Sequence, residues 1–96
     1  MIRHHVLITL NDDAKDAAAT IVAELEAFVP LCPEIRSYQV GVDAGITPGA
    51  ADVVVVAEFD SIDDYKAYSA HPEHQRISAE HIAPYLASLV RLQTES

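Results

Sequence analysis

The 96-residue chain carries fifteen Asp and Glu against six Lys and Arg, and a formal charge of −9 argues against a nucleic-acid backbone or an anionic membrane surface as partner. Half the residues are apolar. That is enough for one thin core in a single domain over residues 1–96, although a chain this short hides only about 60–65% of its unfolded surface, so a second copy would usefully enlarge it. Cys32 is the lone cysteine, which excludes an intrachain disulfide, and neither a signal-like segment nor a membrane-length apolar run is present, so a soluble, cytoplasmic location is expected.

Residues 2–10 (IRHHVLITL) alternate as a half-buried strand does. Ile2, His4, Val6, Ile8 and Leu10 share the apolar face, which turns His4 inward. Asn11-Asp12-Asp13 offers helix N-cap residues. Beyond it Ala14, Ala18, Ile21, Val22, Leu25, Phe28 and Val29 recur at helical spacing, and Pro30 and Pro33 close the segment.

Residues 35–42 (IRSYQVGV) predict a second strand, with Arg36, Tyr38, Val40 and Val42 on one face. A Gly/Pro loop at 45–49 leads to residues 53–59, whose four consecutive valines suit a central strand. Ser61 and Asp64 have the spacing of a capping box. The helix they open carries Tyr65 and Tyr68 and is interrupted at Pro72. Proline suits the first helical position, so His71 is expected as N-cap of a further helix. His74, Ile77, Ser78, His81, Ile82 and Tyr85 then line one face of that helix, and Pro84 kinks or ends it. Residues 87–93 read as a last strand. The resulting order, β-α-β-β-α-α-β, is that of a ferredoxin-like α+β domain with an antiparallel sheet.

Chemistry concentrates at Tyr68-Ser-Ala-His-Pro-Glu-His74. His74 falls in the first turn of its helix and on the inward stripe. The backbone dipole and burial there both favour a neutral ring, which a proton-abstracting base requires. The same position also suits a buried histidine satisfied by a backbone carbonyl. Tyr68, just before the break, can reach the same space and donate to a developing oxyanion, or act as an amphipathic packing residue. The His-x-x-His spacing of His71 and His74 hints at a metal, but a cap position and an inward position aim the two rings apart, and no second clustered pair supports a site. No metal is therefore expected. A phosphate-cradling glycine loop and a nucleophile elbow are both missing.

Met1-Ile-Arg-His4 before a hydrophobic strand, Glu58-Phe59 before a capped helix, and Tyr68-x-x-His71-Pro-x-His74 resemble the stress-responsive A/B-barrel (Dabb) family over essentially the whole chain. The resemblance implies a ferredoxin-like protomer pairing into a homodimeric α+β barrel. Among plant polyketide cyclases of the olivetolic-acid type, which belong to that family, a histidine acts as base and a tyrosine assists in an aldol closure. His74 and Tyr68 match that pair, and His4 matches a pocket histidine. Leu25 and Val53 stand where those cyclases carry a further tyrosine and histidine, so a less polar pocket and a different substrate are implied. Ile77 and His81, on the stripe of His74, complete the expected lining. The expectation is a small apolar, carbonyl-bearing ligand handled without a cofactor in a cyclase, lyase or isomerase reaction. The alternatives are a non-catalytic stress-related binding protein and, ranked lower, a cofactor-independent monooxygenase.

Overall fold

A computed structural model describes all 96 residues. Four antiparallel strands form one sheet in the order β2-β3-β1-β4: β1 (Ile2–Leu10), β2 (Ser37–Val42), β3 (Val53–Phe59) and β4 (Leu86–Glu95). Helices α1 (Ala17–Phe28), α2 (Ile62–Ala70) and α3 (Pro72–Ile77) complete the ferredoxin-like α+β fold.

Alternation in the sequence decides what each face of the sheet meets. On β1, Ile2, His4, Val6, Ile8 and Leu10 are buried, and on β3 the buried set is Val53, Val55, Ala57 and Phe59. The β1–β3 register places Val6 beside Val55 and His4 beside Ala57, so the two inward sets form one surface. Ala18, Ile21, Leu25 and Phe28 of α1 pack into the same core, at helical spacing. Full burial of a side chain such as Phe28 contributes about 1.5–3 kcal/mol. On the opposite face, Leu7, Val54, Val90 and Leu92 are all exposed, Val90 and Leu92 by 60% or more. The valine run is thus central in the sheet, but only one of its faces is covered within the chain.

Several boundaries differ from the sequence reading. Asn11-Asp12-Asp13 caps no α-helix. Asn11 donates its N–H to the Tyr85 carbonyl (2.9 Å) and opens a 3₁₀ turn over Asp12–Ala14, and α1 begins only at Ala17, without a side-chain cap. The second strand starts at Ser37 rather than Ile35, because Ile35 N–H closes a turn onto the Cys32 carbonyl. The last strand runs two residues further than expected, to Glu95, since β1 supplies partners for its polar end: Arg3 beside Thr94 and Ile2 beside Glu95.

Ser61 Oγ accepts from Asp64 N–H (3.1 Å), but the reciprocal half of the capping box does not form. His71 does cap α3: its Nδ1 accepts from Glu73 N–H at 3.1 Å, and Pro72 fills the first helical position, where no N–H is needed. The helix does not continue unchanged to Pro84. Residues Ser78–Ile82 widen into a π turn, with Ala83 N–H reaching back to the Ser78 carbonyl, and a 3₁₀ turn over Ala83–Tyr85 leads into β4. The extra residue in that turn rotates the expected stripe. Tyr85 becomes exposed, and His81 turns toward Glu24, Nε2 to Oε1 3.3 Å.

Candidate functional site

A cavity of about 320 Å³ lies between the covered face of the sheet and the helices. Its floor is strand: His4, Val6 and Ile8 of β1, Val55 of β3 and Tyr38 of β2. Its roof is helical, with Leu25 of α1, Tyr65 and Tyr68 of α2 and His74 of α3. The volume stands at the lower end of the range for small-molecule sites.

Tyr68 and His74 flank the α2–α3 break, and their ring centroids lie 4.5 Å apart. The break brings them together: His71 leaves the helical conformation (φ −60°, ψ 132°), and Pro72 starts the chain in a new direction. His4 approaches from the sheet, its ring 5.9 Å from Tyr68 and 4.9 Å from Tyr65. Tyr68 is 2% exposed, and its hydroxyl lies 3.1 Å from that of Tyr38. Gln93, paired with His4 across β1 and β4, places its amide Nε2 2.9 Å from His4 Nδ1. An amide nitrogen only donates, so His4 Nδ1 is the acceptor and the ring proton sits on Nε2.

These surroundings fix the charge states. Burial, reinforced by His74, Arg91 and His5, lowers His4 to about 4. Burial followed by His71 also lowers His74, while hydrogen bonding to the Ser69 backbone opposes the shift. Burial pushes Tyr38 up to about 12 and carries Tyr68 well above the usual phenol range. At neutral pH His4 and His74 are therefore neutral imidazoles, and Tyr38 and Tyr68 are intact phenols. No group of three or more His, Cys, Asp or Glu side chains is arranged to hold a metal ion. His71, edge-on to Phe28 at 5.0 Å and engaged as a cap, stands outside the cavity wall.

The stress responsive A/B barrel domain family matches residues 2–95. The chain belongs to that family. An uncharacterized Streptomyces coelicolor protein is 33% identical over 78 residues, covering 78% of this chain and 80% of the relative. Among solved structures, a dimeric ferredoxin-like protein of Thermobifida fusca is 35% identical with a TM-score of 0.88, covering 99% of this chain and 90% of that one. A hydroxynitrile lyase of Passiflora edulis is 18% identical with a TM-score of 0.79, covering 97% and 90% of the two chains, a likeness of fold alone.

In this A/B barrel domain, the residues singled out in the sequence divide into two groups. Tyr68, His74, His4 and Leu25 share the cavity. Val53, Ile77 and His81 do not line it. Val53 pairs with Ile8 and is 2% exposed, and Ile77 is 1% exposed, so both are packed into the core. His81 has turned to Glu24 with the π turn. Conversely, Tyr38, Tyr65, Ser69, Ser78 and Arg91 line the cavity although no local motif marks them as site residues. The alternation of residues 35–42 puts Tyr38 on one face with Arg36, Val40 and Val42. What was missing was the strand order that carries β2 and β4 to their places around β1 and β3.

Proposed function

We infer that the cavity binds a small, mostly apolar carbonyl compound and acts on it without a cofactor. His74 serves as general base toward a proton beside the carbonyl, and Tyr68 donates to the oxygen on which negative charge develops. The observation that carries this reading is the pairing of Tyr68 and His74 rings at 4.5 Å on the wall of one apolar cavity. Burial supports both roles, because it keeps His74 unprotonated and Tyr68 protonated. The reaction class is proton abstraction next to a carbonyl, as in aldol-type cyclisation, lyase or isomerase chemistry. The hydroxynitrile lyase of the same fold is compatible with a proton-transfer site here, although the resemblance is one of fold.

The protomer is read as half of a homodimeric barrel. Leu7, Val54, Val90 and Leu92 leave an apolar sheet face open, and the Thermobifida fusca relative is described as dimeric.

Hydrogen–deuterium exchange at the methyl group of an aryl methyl ketone tests the chemistry directly. The protein should accelerate exchange in D₂O, followed by NMR. His74→Ala should abolish the acceleration, and Tyr68→Phe should reduce it about 10²-fold or more. Saturable binding with no accelerated exchange would instead identify a non-catalytic binding protein.

A further inference from the structure

The cavity wall carries no acidic residue, although the chain is strongly acidic. Fifteen Asp and Glu are present in the chain, yet none is among the sixteen residues lining the cavity. One of the six basic residues, Arg91, does line it.

Arg91 is also unusual among those basic residues. Arg3 pairs with Glu58, Lys15 with Asp52, Arg36 with Asp60, and Arg76 with Glu24, Glu73 and Glu80. Arg91 forms no ion pair and no side-chain hydrogen bond within the chain, so its five N–H donors are uncommitted. Lys66 also lacks an ion-pair partner, but it does not line the cavity. The position of Arg91 follows from strand parity. It stands opposite Val6, one inward position along β4 from Gln93, which stands opposite His4. Successive inward residues lie about 7 Å apart along a strand, so the Arg91 backbone stands about that far from the Gln93 that contacts His4. The side chain is exposed to solvent while lining the cavity, which puts it at the mouth.

We propose that the ligand is a small carboxylate with an apolar, carbonyl-bearing body, its carboxylate held by Arg91 at the mouth and its carbonyl end directed inward to Tyr68 and His74. This rests on the carbonyl-binding reading of the same cavity and adds the substrate's charge and orientation. A guanidinium matches a carboxylate with two parallel N–H···O bonds, a geometry that lysine cannot reproduce. The acid-free wall lets a carboxylate enter without facing a like charge, although the chain as a whole carries −9. The neutral cavity histidines fit as well, since they leave Arg91 as the cation that recognises the anion. An anchored carboxylate also gives the ligand one orientation, which proton abstraction at a single carbon requires.

The test compares 4-acetylbenzoate with its neutral isostere 4-acetylbenzamide by isothermal titration calorimetry at low ionic strength. The wild-type protein should bind the carboxylate about tenfold tighter or more, as expected for charge-assisted hydrogen bonds. The preference should shrink as salt is added. Arg91→Gln should bring the carboxylate affinity down to that of the amide, and Arg91→Lys should keep part of the preference. Arg91 has no partner to lose, so these variants are expected to unfold at wild-type urea concentrations. Equal wild-type affinities, or a preference that survives in Arg91→Gln, overturn the carboxylate assignment and leave the carbonyl-binding reading standing. Binding of neither probe overturns both.

Discussion

The hydroxyl of Tyr38 on β2 lies 3.1 Å from that of Tyr68 on α2, linking an edge strand to the helix that carries the proposed oxyanion donor. Each phenol has one proton to donate. For Tyr68 to direct its proton to a ligand, Tyr38 must be the donor within the pair. Tyr38→Phe then removes a bond worth about 1 kcal/mol and releases Tyr68 from its orientation. Urea unfolding should show that loss, and ketone exchange should fall by less than it does in Tyr68→Phe. Equal losses of activity in the two variants would contradict the assignment of Tyr68 as the group that touches the ligand.

His4 makes stability depend on pH in a defined window. Its pKa is about 4 in the folded chain and 6.5 without the fold. Above pH 6.5 the ring is neutral in both states and contributes no slope. Between 6.5 and about 4 the unfolded chain takes up a proton that the folded chain refuses, so stability falls as the pH falls. Below about 4 both states are protonated and the loss levels off. From this ring the loss is at most about 3 kcal/mol, less where solvent at the mouth screens it. His74, shifted in the same direction, adds to the slope and keeps its base form available below the usual imidazole range. Urea unfolding across pH 4–7 should give a shallower slope for His4→Gln than for wild type. Parallel slopes would refute a buried neutral His4.

Gln93 sets the tautomer of that ring. Its amide donates to His4 Nδ1 at 2.9 Å and lies 3.4 Å from the Tyr65 hydroxyl. Long-range ¹H–¹⁵N NMR at pH 7 should show His4 protonated on Nε2. Gln93→Leu should produce a mixture of tautomers and cost about 1–3 kcal/mol for the unpaired buried acceptor. An unchanged spectrum would mean that another group fixes the ring.

The open sheet face predicts assembly. Light scattering at low micromolar concentration should give a dimer for the wild-type chain. Leu7→Glu should give a monomer, because a carboxylate would be buried without a partner between two apolar surfaces. Leu7 lies outside the cavity wall, so the monomer should retain the site and lose mainly stability. A wild-type monomer at that concentration would remove the barrel.

Much of the fold is written in local patterns. The alternation of β1 and the valine run of β3 each fix an element and its buried face, because period-two patterning is a property of a single strand. His71-Pro72 was legible for a similar reason, since capping and the lost proline N–H act within a few residues. The helix start near Asn11 was not legible: the competitor for its backbone is Tyr85, which is distant in the sequence. The site divides in the same way. Tyr68 and His74 straddle one local joint and could be picked out together. Tyr38 and Arg91 reach the cavity from the two edge strands, and only the β2-β3-β1-β4 order brings them there. His81 was misplaced by a single π turn, whose extra residue leaves no mark in an apolar stripe.

His4, Val6 and Ile8 belong to the cavity, while Arg3, His5, Leu7 and Thr9 face the other side of the sheet. On the proposed function, ligand choice and self-association would fall to interleaved positions of one nine-residue segment. Substituting His4, Val6 or Ile8 by side chains of similar volume should retune ligand choice with assembly intact, and varying Arg3, His5, Leu7 and Thr9 should do the reverse. A one-residue insertion within β1 is the change neither design tolerates, because it would exchange the two sets beyond the insertion point.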